Sequence, residues 1–226
     1  KESDHIYLKS RCEEMNIEYL SSAFDLEGLD MLNRLGLGKL KIPSGEITNL
    51  PFLKKAGSID WEIILSTGMS NLNEIKDALH WLQFSGKKRE NISILQCTTQ
   101  YPAPFESINL SAMKTLSRTF NTKIGYSDHT SGITAAIAAV AMGAQIIEKH
   151  ITLDKNLQGP DHKASLEPNE LKVLVESIRD TEAAIGNGLK IPNECEISNN
   201  DIARKSIVAK KEIKKNQNFS EDNLCT

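Results

Sequence analysis

Polar side chains follow several short apolar runs in this sequence, at the points where predicted strands end. Two of them are histidines, His129 and His150, which close the consecutive β-rich runs KIGYS and QIIEK. Adjacent parallel strands lie about 4.8 Å apart, so both imidazoles can reach one metal ion. Two imidazoles leave positions open for water and substrate oxygens, which favours Mn²⁺ or Mg²⁺ over a closed zinc site. The alternative is that each is a hydrogen-bonded core histidine.

A lysine and a short polar turn follow an earlier run. Lys41 lies near the end of the run LKI, and Ser44, Gly45 and Glu46 come next. A lysine in this position either extends into solvent or presents its charge to a phosphate. Gly45 permits close backbone approach, so Ser44 and Glu46 can hydrogen-bond a polyhydroxylated ligand, although a plain solvated turn is the alternative.

Strand alternation predicts which polar groups face the same way, because every second side chain of a strand lies on one face. The pairs that share a face are Thr99 with Tyr101, Ser127 with His129, and Glu148 with His150. Cys97 precedes the first of these pairs and has no histidine near it in the sequence. We interpret it as a small buried residue and not as a nucleophile.

These groups need a sheet that brings strand ends together, and the sequence predicts one. The β-rich runs are Glu18–Ser22, Leu40–Ile42, Glu62–Ser66, Ser93–Gln96, Lys123–Ser127 and Gln145–Lys149. Helical patterns separate them. One begins at a capping box formed by Asn71 and Glu74, and another runs from Pro168 to Gly186. Such alternation predicts a parallel sheet with helices outside it.

The spacing of the runs, about 20 to 30 residues, matches a (β/α)₈ barrel, in which roughly 250 residues form eight units. Only six units are visible, and the chain begins at Lys1 without an initiator methionine. We therefore expect two further units upstream of Lys1. A doubly wound open sheet is the alternative. After Gly186 the helical signal ends, so residues 191–204 are predicted to be a linker, and residues 205–226 have short β-like character.

Composition excludes several classes of protein. The 226 residues are 39% hydrophobic and 25% charged, as in globular proteins and unlike disordered chains. A net charge of −3 supplies no field for nucleic acid or an anionic membrane, so neither is expected as a partner. Four cysteines without a CxxC pair predict a cytoplasmic protein. The longest apolar stretch, from Gly132 to Ile147, is shorter than the roughly 20 residues of a spanning helix and predicts a buried helix leading into a strand.

Six motifs in this order resemble one family closely. They are KIPSGEITNLP, LSTGMSN, QCTTQYPAP, GYSDHT, EKHITLD and GPDHKASLEPNEL. Together they resemble the sialic acid synthases, TIM barrels that condense phosphoenolpyruvate with an amino sugar to make N-acetylneuraminate and related nonulosonates. The tail from Lys205 resembles the start of the antifreeze-like (SAF) domain of that family. The resemblance implies a (β/α)₈ barrel over residues 1–190, lacking about two units, followed by the start of that domain.

The resemblance also implies roles for phosphoenolpyruvate-binding residues. Lys41 and Ser44 match groups that bind the phosphate and carboxylate, and Thr99, Tyr101 and Ser127 match further groups around this substrate. Thr99 stands where some members have Asn. Ser22 stands where many members have Thr and is expected to bind phosphate as well.

Two histidines and two acidic residues complete the implied site. His129 and His150 match the family's manganese ligands, with Mg²⁺ or Co²⁺ as substitutes. Glu46 and Asp161 match acidic residues near the amino sugar, and Glu46 is the candidate for proton transfer. Lys41, Tyr101, Glu46 and Asp161 are accordingly the predicted catalytic residues.

The implied activity is N-acetylneuraminate synthesis. C3 of phosphoenolpyruvate attacks the aldehyde of N-acetylmannosamine, water adds at C2, and phosphate leaves by C–O cleavage. A legionaminate synthase that uses 2,4-diacetamido-2,4,6-trideoxymannose is one alternative, and a catalytically silent sugar-binding barrel is another. The family implies a homodimer with swapped C-terminal domains. Because the implied first two strands are missing, the 226-residue chain alone is expected to be inactive.

Overall fold

The computed structural model describes residues 1–226 and divides into two compact units, Lys1–Gly186 and Asn187–Thr226. The first unit alternates helices and strands. Its strands are β1 (Lys39–Ile42), β2 (Glu62–Ser66), β3 (Ile92–Cys97), β4 (Lys123–Asp128) and β5 (Ile147–Lys149). Its helices are α1 (Glu2–Glu14), α2 (Leu26–Arg34), α3 (Leu50–Ser58), α4 (Leu72–Phe84), α5 (Ala112–Phe120), α6 (Thr134–Ala141) and α7 (Pro168–Ile185). No helix combines the length and apolar character needed to cross a membrane.

All five strands are parallel and follow chain order across the sheet, β1-β2-β3-β4-β5. Single parallel bridges extend both edges, from Ser22 to Lys41 beside β1 and from Ile151 to Leu166 after β5. The sixth predicted strand, Glu18–Ser22, is therefore reduced to one bridge at Ser22. The other five predicted strands are confirmed to within two residues at each end.

The two faces of this sheet differ in chemistry. Alternate strand residues such as Leu40, Ile63 and Ile94 belong to the buried apolar core formed with the helices. The residues between them point the other way and include Lys41 and Ser127. The core thus fixes the orientation of the polar face, because a slip of one residue would exchange the two faces.

The sheet is curled, as a contact between side chains of its first and last strands shows. Lys41 Nζ on β1 lies 3.4 Å from Glu148 Oε1 on β5. In a flat sheet these strands would be roughly 19 Å apart at about 4.8 Å per step, too far for this contact. The curled parallel sheet with helices outside confirms the barrel-like architecture and disfavours the doubly wound alternative.

Local sequence explains the helices that support the sheet. Asn71 accepts hydrogen bonds from the backbone N–H groups of Asn73 and Glu74, and the Glu74 side chain returns to the Asn71 N–H, so the predicted capping box starts α4. Helix α7 begins at Pro168, as predicted, and is followed by Gly186 with a φ of 63°. The apolar stretch from Gly132 divides into α6 and β5, also as predicted.

The second unit holds helix α8 (Glu194–Ala203) and the antiparallel strands β6 (Val208–Ala209) and β7 (Leu224–Cys225). Helix α8 falls inside the predicted linker, so the prediction that helical structure ends after Gly186 is wrong. The helix has no buried residue and therefore lacks the apolar stripe that periodicity detects. The domain boundaries and the antifreeze-like identity of this unit remain predictions.

Candidate active site

A row of three side chains crosses the concave face of the sheet. Cys97, Ser127 and Glu148 are register partners on β3, β4 and β5. Ser127 Oγ donates a hydrogen bond of 2.7 Å to Glu148 Oε1. Since Lys41 approaches the same carboxylate oxygen, the row joins the far side of the curled sheet through an ion pair.

Lys41 is buried, with 8% of its surface exposed, so it does not extend into solvent. Its ammonium group has Glu148 at 3.4 Å and the Ile42 carbonyl at 3.4 Å as neighbours. Both contacts are long for a charged donor, whose hydrogen bonds are usually 2.7–2.9 Å. A cation held with such loose partners inside a concave face suits an anionic ligand.

A small cradle lies beside Lys41 at the ends of β1, β2 and β3. The Gly68 N–H donates to Ser44 Oγ at 2.9 Å. A Cβ atom on Gly68 would overlap Thr99 Oγ1 and approach Ser44 Oγ to 2.9 Å, so only glycine leaves both hydroxyls unobstructed. The predicted residues Ser44 and Thr99, distant in sequence, are therefore brought together.

Three rings pack together at the same end of the sheet. The centroid of Tyr101 lies 4.1 Å from that of His129 and 5.6 Å from that of His150. The two imidazole centroids are 5.4 Å apart with planes inclined at 64°. The histidines are thus neighbours, as the strand-end argument predicted, and Tyr101 packs against both. Burial raises the pKa of the Tyr101 hydroxyl, which stays protonated at neutral pH.

The hydrogen bonds of His129 determine which ring nitrogen is free. Its Nδ1 lies 2.8 Å from the Thr98 carbonyl oxygen, and because a carbonyl only accepts, Nδ1 carries the proton. In the neutral ring Nε2 then keeps its lone pair. Burial lowers the pKa of the His129 imidazole, although the bond to Thr98 opposes this shift, so the neutral form is favoured. Metal-binding histidines commonly have this arrangement.

These donors fit a loosely held divalent cation and not a closed site. No cluster of three or more His, Cys, Asp and Glu side chains is arranged to hold a metal. His129 and His150 would supply two imidazole ligands, and Asp161 Oδ2 lies 3.7 Å from His150 Nδ1. An ion bound this way would keep open positions for water and substrate oxygens, which suits Mn²⁺ or Mg²⁺.

Two predicted residues lie apart from these contacts. Glu46 accepts a hydrogen bond from Asn49 Nδ2 at 2.6 Å and forms no hydrogen bond or ion pair with another predicted site residue. Ser22 joins the site through its backbone bridge to Lys41, without a side-chain bond to the other candidates. Asp161 contributes only its approach to His150. The roles assigned to these residues remain predictions.

Cys97 lies inside the site but is poorly suited to be a nucleophile. It is 7% exposed, and its Sγ is 3.9 Å from His129 Nδ1, the nitrogen bound to Thr98. Burial raises the pKa of the thiol, against opposing contributions from neighbouring Ser127 and Ser44. A small proportion of thiolate is therefore expected, in agreement with the interpretation of Cys97 as a small buried residue.

Three residues of this site were not among the sequence-predicted binding residues. Glu148 connects Lys41 to Ser127, and strand alternation with His150 was the signal that placed it on this face. The special requirement for Gly68 arises only from its contacts with Ser44 and Thr99, which lie in loops far from it in sequence. Ser66 lies on the same face, and its buried hydroxyl has no hydrogen-bond partner, which no sequence pattern reveals.

Comparison with known proteins identifies the family to which this chain is similar. Residues 1–190 match the model of the NeuB family. The chain is 57% identical over 222 residues to N,N'-diacetyllegionaminic acid synthase of Campylobacter jejuni, covering 98% of this chain and 66% of that protein. It is 38% identical over 207 residues to human N-acetylneuraminate-9-phosphate synthase, covering 91% and 57%.

A solved structure is also similar. The crystal structure of N-acetylneuraminic acid (sialic acid) synthetase from Leptospira borgpetersenii serovar Hardjo-bovis, in complex with citrate, superposes with a TM-score of 0.81 at 35% identity. The match covers 91% of this chain and 72% of that one. The chain thus spans less than two thirds of the length of the two synthases compared by sequence.

Proposed function

The chain belongs to the NeuB family, and from this premise we propose that its protein is a legionaminate synthase. The reaction would condense phosphoenolpyruvate with 2,4-diacetamido-2,4,6-trideoxymannose to give N,N'-diacetyllegionaminate and phosphate. The observation that carries this choice is the 57% identity to the Campylobacter legionaminic acid synthase, against 38% to the human neuraminate-9-phosphate synthase.

This proposal corrects the order of preference drawn from sequence motifs. The motifs put N-acetylmannosamine first and the diacetamido sugar second as acceptor. Neuraminate and legionaminate synthases share the condensation chemistry. The six motifs therefore indicate the type of reaction more than the identity of the acceptor sugar. Identity over nearly the whole chain also samples the residues outside those motifs, and it favours the second acceptor.

In the proposed reaction the Lys41 region holds phosphoenolpyruvate. Lys41 would pair with the phosphate, whose dianion offers stronger hydrogen-bond acceptors than the loose contacts described above. Ser44 and Thr99 flank Gly68 and would donate to phosphate or carboxylate oxygens. Because these donors come from the ends of two different strands, β1 and β3, they would fix the orientation of the bound substrate.

His129 and His150 would hold the divalent ion, which when bound supplies Lewis-acid polarisation of the aldehyde oxygen. The protein's own residues do the remaining work. Tyr101 packs against both rings and would help to keep them in place. Glu46, at the turn after β1, is proposed to supply the proton that the new hydroxyl group at C4 of the product requires.

The test is product analysis of the natural full-length protein with phosphoenolpyruvate, Mn²⁺ and each acceptor sugar in turn. We expect phosphate release and a diacetamido nonulosonate by mass spectrometry, with kcat/KM at least tenfold higher for the diacetamido sugar than for N-acetylmannosamine. A higher kcat/KM for N-acetylmannosamine would contradict the proposal and support neuraminate synthesis instead. Binding of a sugar without turnover of any would instead support the silent barrel.

A further inference from the structure

A buried ion pair lies directly behind the two histidines. Asp128 and Lys149 are the last residues of β4 and β5 and are register partners. Lys149 Nζ lies 2.9 Å from Asp128 Oδ2, and their side chains are 4% and 0% exposed. Both occupy the helix-facing side of the sheet, so neither points toward the concave site.

The pair is closed into a ring by the backbone of Thr130. The Thr130 N–H donates to Asp128 Oδ1 at 2.9 Å, and Lys149 Nζ donates to the Thr130 carbonyl. Thr130 is therefore held through its backbone N–H and carbonyl, and Asp128 through its side chain, on the two sides of His129. Lys149 itself immediately precedes His150. One cluster of hydrogen bonds thus connects the backbone at both histidines.

The outer sides of the histidines are held independently. The His129 carbonyl accepts from the Ala103 N–H at 2.9 Å, and the His150 carbonyl accepts from the Leu166 N–H at 2.8 Å. The ion pair joins the last residues of the two strands directly, one residue beyond the hydrogen bond between Ser127 and Glu148. It is consequently the element best placed to set the distance between the rings.

Fold stability does not by itself account for such a pair. Removing two charges from water carries a large desolvation cost, and replacing a buried pair by neutral residues is often neutral or stabilising. What neutral residues do not reproduce is the set of directional hydrogen bonds that joins the Asp128 and Lys149 side chains to the Thr130 backbone.

We propose that Asp128 and Lys149 are positioning residues that hold the imidazoles of His129 and His150 at the separation a divalent cation requires. The inference rests on the metal site within the proposed function. It means that Asp128 and Lys149, although they lie outside the site, contribute to the affinity for the metal.

The test uses the double variant Asp128→Asn/Lys149→Met of the natural full-length protein, which removes both charges together and leaves none unpaired. Thermal unfolding should stay within a few degrees of wild type. The Kd for Mn²⁺, measured from the electron paramagnetic resonance signal of free Mn²⁺, should rise at least tenfold, as when groups supporting metal ligands are changed.

Lys87→Met is the matched control. Lys87 is another buried lysine, 6% exposed, whose Nζ donates to the carbonyls of Ile59 and Trp61 ahead of β2, away from the strand ends that form the site. Its loss should lower thermal stability and leave the Mn²⁺ Kd unchanged. The contrast separates a general loss of stability from a specific loss of metal affinity.

Each outcome is informative. If wild type binds no Mn²⁺, the proposed metal site fails and this inference fails with it. If wild type binds Mn²⁺ and the folded double variant binds it equally well, only the positioning role is overturned. A double variant that does not fold also overturns it, because the pair would then serve the fold and not the spacing of the rings.

Discussion

At the scale of single residues, Lys41 is buried, yet its ammonium group has only long contacts with its partners. Its ammonium group is inside the molecule, yet its carboxylate partner Glu148 is 3.4 Å away and also accepts a hydrogen bond from Ser127. A phosphate dianion placed beside Lys41 would compete with Glu148 for this charge. The ion pair therefore keeps the lysine oriented for a ligand while leaving it available.

Replacement of Lys41 by Ala in the natural full-length protein should raise the KM for phosphoenolpyruvate and lower kcat. The loss of one charge-assisted contact, about 1.5–3 kcal/mol, corresponds to roughly 10- to 150-fold in kcat/KM. Lys39→Ala is the control, since Lys39 lies on the same strand but pairs with exposed Glu18. Steady-state kinetics would contradict a substrate role if KM were unchanged in the Lys41 variant.

Gly68→Ala should abolish most turnover without unfolding the protein. The added methyl group would overlap Thr99 Oγ1 and crowd Ser44 Oγ, filling the cradle, while the φ of Gly68 is one that alanine tolerates. Gly38→Ala provides the comparison, because a Cβ there meets nothing within 4 Å. Equal rates for both variants, with both folded by circular dichroism, would mean that the cradle holds no substrate.

The thiols should differ in reactivity toward iodoacetamide at pH 8. Cys195 and Cys225 are exposed and should be alkylated first. Cys97 is buried and its pKa is raised, so less thiolate forms at this pH and modification should be slow. Peptide mapping by mass spectrometry measures the order, and rapid labelling of Cys97 would contradict its structural interpretation.

At the scale of elements, the ends of β4 and β5 should act as one unit. His129→Ala and His150→Ala should each remove most turnover and most Mn²⁺ binding, and the double variant should lose little more, because each single change already disables the site. Folding should survive, since an open two-ligand site contributes little to stability. Single variants that keep both metal and rate would identify the pair as core histidines.

The element scale also shows what the sequence could predict. Strand β2 has four buried residues in succession, and its predicted bounds agree with the structure. Helix α8 was missed because none of its residues is buried. The role of Asp128 with Lys149 depends on the register between strands, and the requirement for Gly68 depends on loops far apart in sequence. Local periodicity carries information about burial but not about register.

At the scale of the whole molecule, the two units differ in what supports them. The first unit lies entirely within the matched family region, residues 1–190. The second is small, and its order rests on local bonds such as those from Asn223, which is 1% exposed and binds the backbone of Asn218 and Ser220. The homodimer with swapped C-terminal domains remains a prediction, and light scattering of the natural full-length protein would test its dimeric state.

The contact between Lys41 and Glu148 has a kinetic consequence, because it joins residues more than 100 positions apart. Contacts of such long sequence separation form late, after their loop-closure entropy has been overcome. In refolding of the natural full-length protein, far-ultraviolet circular dichroism should therefore recover before phosphate release does, and coincident recovery would contradict this order. Catalytic activity would then appear only after β1 and β5 have come together. A partly folded molecule would contain every sequence motif of the site and still be inactive.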